Sequence, residues 1–245
     1  MERYRDGLTG KGTQTADPKF NFKKPVFKKK QGLDLQKISE LNKEHPARDY
    51  LERRKIEDLA SFYYCPKFKD WTNQQKKTFD NLRQDSARII IPLRDRDGNM
   101  FGYQGRSLAP KAKIRYITIM LDESKPKVYG LDRIDPLQPV YVTEGPFDSH
   151  FIANAIAMCG SDVDLSSFNY QFVFVFDNEP RSREICSKIA KTAQSGHKVV
   201  IFPKSIKEKD LNDMSLAGHD VQSLVESNTY SGLEAQLKLN EWKKV

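Results

Sequence analysis

The chain has little of what staples, anchors or exports a protein. Its 245 residues hold three cysteines, Cys65, Cys159 and Cys186. They are odd in number and far apart, which excludes a disulfide framework. Neither they nor the four histidines fall into the close pairs that a zinc ribbon requires. No run approaches the roughly 18 apolar residues of a spanning helix. The opening MERYRDGLTG has no apolar stretch of a secretory signal. These absences predict a cytoplasmic protein with no membrane partner. A nucleotide-motor reading of GLTGKGT also fails, because the position five residues before Gly10 is Arg5 rather than glycine. No serine or cysteine has a recognisable paired base, so a nucleophilic triad has no support.

What is present is charge, unevenly placed. The formal net charge is +8. Residues 1–33 carry nine basic and three acidic groups, and residues 34–86 carry eleven and ten. Residues 87–133 carry ten and five, and residues 134–245 carry eleven and fifteen. Two basic blocks thus precede an acidic one, an asymmetry that fits a polyanionic partner.

The first block has no hydrophobic period and reads as a flexible basic tail or linker over 1–33. Leu35, Ile38, Leu41 and Asn42 have helical spacing, with His45-Pro46 as a stop signal. A second helix follows through Ala47, Tyr50 and Leu51 to Arg53-Arg54-Lys55. Residues 34–134 are expected to form a helical plus basic β-rich subdomain. Within it, Arg88-Ile-Ile-Ile-Pro-Leu and Met100 to Leu108 pair across an Asp97-Gly98 turn, and two further strands follow at Arg115-Tyr-Ile-Thr-Ile and Lys127-Val-Tyr-Gly-Leu. Gly102 and Gly105 leave room for a close approach.

From Pro139 strand and helix alternate. Val140–Glu144, Gln171–Asp177 and Lys198–Phe202 read as buried strands, with helices over Phe147–Ala157 and Arg183–Ser195. The pattern predicts an α/β domain over 135–215 with a parallel sheet covered by helices on both faces. A C-terminal helical segment over 216–245 would pack through Leu233, Leu237 and Trp242.

In such a sheet, ligands bind beyond the carboxyl ends of the strands, and here those ends are acidic. The first strand runs into Glu144-Gly145-Pro146-Phe147-Asp148, the second into Asp177-Asn178-Glu179, and the third into Lys209-Asp210-Leu211-Asn212-Asp213. Carboxylates gathered at one edge repel one another unless a cation sits among them. A set of oxygen donors alone suits Mg²⁺ or Mn²⁺. His150 and His197 read as ordinary polar residues.

The ordered series EGPFDS, FDNEPR and KDLNDM resembles the Toprim domain of primases, topoisomerases and some nucleases. Upstream, HPARDYLERR, RIIIPLRDRDGNMFGYQGRSL, RYITI and KVYGL resemble the basic subdomain that precedes Toprim in DnaG-type primases, and the whole is most similar to the primases of T-even-type bacteriophages. The resemblance runs from about residue 34 to the C-terminus. It implies metal-dependent synthesis of short RNA primers on single-stranded DNA from ribonucleoside triphosphates, in a host cell's cytoplasm. Glu144 would act directly and Asp148 would support it. Asp177, Glu179 and Asp210 would hold metal with Glu144, and Asp213 would join them. Arg106, Lys113, Arg115 and Lys127 would contact template or triphosphate. A replicative helicase is the partner implied by analogy. The zinc ribbon of such primases has no counterpart among these cysteines, so it would be supplied separately or be truncated. Two other readings stay open, a Toprim-type metal-dependent nuclease or strand-cleaving enzyme and a non-catalytic single-stranded DNA-binding subunit.

Overall fold

A computed structural model describes residues 33–160 and 163–245. Apart from Leu33, the basic tail expected over 1–33 lies outside the described residues.

The N-terminal half is an antiparallel meander. Strands β1 (Gln36–Lys37) and β2 (Tyr63–Cys65) flank helix α1 (Pro46–Arg53), and α2 (Phe68–Gln75) leads to β3 (Arg88–Arg94), β4 (Met100–Ser107) and β5 (Tyr116–Met120). The sheet order is β1-β2-β3-β4-β5. The β3–β4 hairpin turns at Gly98, whose φ of +79° is the left-handed conformation expected of an Asp-Gly turn. Pro92 sits inside β3 but beyond the last residue that pairs with β2, so its missing N–H costs no ladder bond on that side.

Leu35–Asn42 does not form the expected helix. It pairs with β2 as β1 and then makes one 3-10 turn, Ile38–Glu40. Nor does His45-Pro46 stop a helix. It starts α1, because the His45 Nδ1 atom accepts from the Ala47 N–H at 3.2 Å and proline suits the first turn.

The second sheet contains β6 (Val128–Tyr129), β7 (Val140–Thr143), β8 (Ala155–Met158), β9 (Phe172–Val175), β10 (Lys198–Val200) and β11 (Thr229–Tyr230). Their order is β11-β10-β9-β7-β8-β6, with the four central strands parallel and the two edges antiparallel. Helices α3 (Arg183–Gln194), α4 (Leu211–Leu216), α5 (Val221–Ser227) and α6 (Gly232–Trp242) complete it.

Three expectations change here. The segment Phe147–Ala157 is not a helix: it makes a short 3-10 turn, Asp148–His150, and then β8. Short apolar runs cannot be assigned by period alone. The Lys127–Leu131 strand, read with the basic β unit, lies instead at the edge of the second sheet beside β8. Helix α6 buries Ala235, Leu239 and Trp242, whereas Leu233 and Leu237 face outward.

One core joins the sheets. Ile89, Ile91 and Phe101 of the first pack with Val140, Val142 and Ile156 of the second, and Phe147 lies among them. The Thr118 hydroxyl donates to the Cys159 carbonyl at 3.1 Å, tying β5 to the end of β8. Among the described residues no helix is long and apolar enough to cross a membrane.

Candidate active site

Strand β7 lies between β8 and β9; the chain runs from β7 to β8 on one side and from β9 to β10 on the other, which opens a switch point between β7 and β9. Thr143 pairs with Val175 there, which puts the residues that follow side by side. The Asp177 N–H reaches Glu144 Oε2 at 3.5 Å. Glu144, Asp148, Asp177 and Asp210 line one narrow pocket with Thr143 and Phe176.

Local backbone chemistry brings each acid to that point. At Gly145 a Cβ would stand 2.7 Å from Asp148 Oδ2, so a larger residue there would push that carboxylate out of its position. Asp210 caps α4, accepting from the Asp213 N–H at 2.8 Å. Asn178 is buried between the two acids of its loop, its own N–H donating to the Lys209 carbonyl at 2.6 Å.

Electrostatics mark the same place. Burial, then the nearby charges of Asp210 and Asp177, push Asp148 up to about 7, against the pull of Arg54. Burial and Glu144 push Asp177 up to about 6, against Lys209. Asp213 is raised by desolvation and by Asp210, but it is exposed and does not line the pocket. Glu179 also stands outside the pocket lining and pairs with Lys209 at 3.1 Å.

Two lysines offset the acids. Lys188 of α3 donates to Glu144 Oε1 at 2.7 Å and reaches Glu184 at 2.9 Å. Lys209 lies 3.5 Å from Asp177. Among the described residues no three histidine, cysteine or carboxylate side chains are drawn together tightly enough to hold a metal as they stand. The donor set still suits a hard divalent cation, since it is all oxygen and its acids resist ionising without a compensating charge. Such an ion would compete with Lys188 and Lys209 for the same carboxylates.

A cleft of about 580 Å³ adjoins the acids and is shared by the two sheets. Gln104, Tyr116 and Thr118 line it from the first, and Glu144, Phe174, Lys188 and Lys191 from the second. Arg106 of β4 stacks over Tyr116 at 4.6 Å and Tyr50 at 5.5 Å. Lys113 and Arg115 are exposed on the loop entering β5. Buried Arg88 braces that loop by donating to the carbonyls of Ile114 and Arg115, each at 3.2 Å. Lys127 is exposed just before β6, on the second sheet rather than with the other three.

Arg54 escaped the sequence reading. It donates to Asn212 Oδ1 at 3.0 Å, while Asn212 Nδ2 donates back to the Arg54 carbonyl at 2.7 Å. This reciprocal pair locks the end of α1 to the residue between Asp210 and Asp213. The basic run after a helix was its only sequence signal, and that signal reads equally well as a solvated cap.

No protein-family model matches the chain. The DNA primase of Enterobacteria phage T4 is 30% identical over 246 residues, covering 96% of this chain and 72% of that protein. Two structures of the RNA polymerase domain of Mycobacterium tuberculosis primase DnaG superpose on it, each at 19% identity. One gives a TM-score of 0.58 over 78% of this chain and 79% of that one. The other, in complex with a double-stranded DNA oligomer bearing a 6-nucleotide overhang, gives 0.61 over 82% and 78%. The fold is therefore that of DnaG-type catalytic cores, with Toprim as the second sheet.

Proposed function

The chain belongs to the DNA primase family, and on that premise we propose that it lays short RNA primers on single-stranded DNA for a DNA polymerase to extend. The family's reaction is metal-dependent. The observation that carries the reading for this chain is the convergence of Glu144, Asp148, Asp177 and Asp210 in one pocket beside a cleft walled by both sheets.

The reaction is nucleotidyl transfer, in which a 3′-hydroxyl attacks an α-phosphate and pyrophosphate leaves. Bound Mg²⁺ or Mn²⁺ would neutralise charge on the attacking and leaving oxygens. Glu144, Asp177, Glu179 and Asp210 are the residues to hold it, with Asp213 at the margin because of its exposure. Glu144 would act directly, either as metal ligand or as acceptor of the attacking hydroxyl's proton, and Asp148 would support it. Arg106, Arg115, Lys113 and Lys127 would bind template or triphosphate, where fixed cations offset phosphate charge. Tyr116 supplies an aromatic surface in the same cleft. Arg54, beside Asp148, joins this cationic set. The domain division at 34–134, 135–215 and 216–245 follows the same reading, although the shared core makes the first two parts structurally continuous.

Single-stranded DNA, ribonucleoside triphosphates, a replicative helicase and a separate zinc-binding domain are the expected partners, and the cytoplasm the expected setting. Incubation with defined single-stranded templates and ribonucleotides tests this, with Mg²⁺, Mn²⁺ or a chelator. Short RNA that requires the divalent ion supports the proposal. Metal-dependent nicking of plasmid DNA without primers would favour the nuclease alternative, and tight template binding without any catalysis the accessory one.

A further inference from the structure

The last helix reaches into the acidic loop. Trp242, 5% exposed, donates its indole Nε1–H to Asn178 Oδ1 at 3.0 Å. The Asn178 amide donates in turn to the carbonyls of Ile206 at 3.3 Å and Glu208 at 2.9 Å. Beyond the helix, the Lys244 N–H donates to the Pro180 carbonyl at 2.8 Å. One buried asparagine therefore joins three segments distant in sequence. They are the loop carrying Asp177 and Glu179, the segment leading to Lys209 and Asp210, and the end of α6.

We propose that Trp242 is a positioning residue, which through Asn178 fixes the spacing between the Asp177/Glu179 loop and Asp210. This rests on the reading of those acids as the metal-binding set. Three considerations support it. Asn178 spends its amide on carbonyls and its own carbonyl oxygen on Trp242, so it has few alternative partners if the indole N–H is lost. A surface pocket of about 100 Å³ opens beside Asn178, Ile206 and Trp242, so packing around this hydrogen bond is not continuous on that side. An oxygen-ligand site for a small divalent ion also tolerates little displacement of its ligands.

The test is Mn²⁺ binding by the full chain, followed by electron paramagnetic resonance, with thermal melting measured in parallel. Trp242→Phe keeps the aromatic packing and removes only the donor. It should melt at a lower temperature and bind Mn²⁺ about 10-fold more weakly, while template affinity stays at the wild-type level. A purely structural Trp242 would lower the melting temperature and leave Mn²⁺ affinity unchanged, which overturns the proposal. Asp177→Asn separates the two layers of the argument. If it weakens Mn²⁺ binding and Trp242→Phe does not, only the positioning role falls. If Asp177→Asn binds Mn²⁺ normally, the metal site itself is misplaced and both fall. Should Trp242→Phe fail to fold, Asn178→Ser carries the same expectations with the indole left in place.

Discussion

The two sheets carry charge in opposite ways. Three of the four candidate cations belong to the antiparallel sheet, Arg106 near the end of β4 and Lys113 and Arg115 on the loop into β5, while Lys127 lies before β6 of the second. In the mostly parallel sheet the acids gather beyond the carboxyl ends of the strands, Glu144 and Asp177 just after β7 and β9, and Asp148 and Asp210 from a 3-10 turn and a helix cap. The difference follows from how each sheet is built. An antiparallel meander presents its faces and hairpin loops, so an extended polyanion can lie across it. Parallel strands are buried on both faces, and polar chemistry is squeezed to their carboxyl ends. On the proposed function, one sheet would hold a strand of nucleic acid and the other would concentrate charge at a point.

The sharpest way to break this comparison is to neutralise one residue of each kind. Asp177→Asn should lower kcat for primer synthesis by about two to three orders of magnitude while template affinity is kept. Steady-state kinetics with a binding titration would show it. Arg115→Ala removes an exposed cation with little packing. It should weaken template binding by about 10-fold and reduce the slope of log K against log salt by about one, with kcat at saturating template nearly unchanged. Equal effects of the two variants on kcat would erase the distinction between the sheets.

The same glycine substitution sharpens it further. At Gly105 a methyl group would overlap the Phe68 ring edge and crowd Arg88. Gly105→Ala should therefore cost about 1–3 kcal/mol of stability in a denaturant titration. At Gly145 the methyl would meet the Asp148 carboxylate, so Gly145→Ala should lower kcat by a larger factor than it lowers stability.

The smallest effect concerns His150, behind the site. Burial, and then the charge of Arg133, hold its pKa at about 3 instead of 6.5. Between those values the unfolded chain carries a proton that the folded chain does not. Its contribution to stability is thus full above about pH 6.5 and drains away as the pH falls towards 3, the loss amounting to up to about 2 kcal/mol at pH 5. Melting curves of the wild type and His150→Gln, compared across that range, should converge as the pH drops.

The sequence exposed Glu144 and Asp177 because each comes within two residues of the end of an apolar strand, and Asp148 and Asp210 because they sit in the short acidic strings that follow. Such patterns are local enough to read. It exposed the β3–β4 hairpin for the same reason, through Asp97-Gly98. It hid β8, since Ala155–Met158 has neither length nor alternation to separate strand from helix. It hid the pairings of Arg54, Lys188 and Trp242, whose partners Asn212, Glu144 and Asn178 lie 158, 44 and 64 residues away. It also misled about α6, where Leu233 and Leu237 share a helical spacing but the buried stripe runs through Ala235, Leu239 and Trp242. What a residue does next to its own strand is legible; what it does across the fold is not.

The division of labour between the two sheets is tested most directly by Glu144→Gln, assayed for primer synthesis and for single-stranded template affinity on the same preparation. The predicted result is loss of synthesis with template affinity intact. Retained synthesis, or template binding lost together with it, would contradict the account.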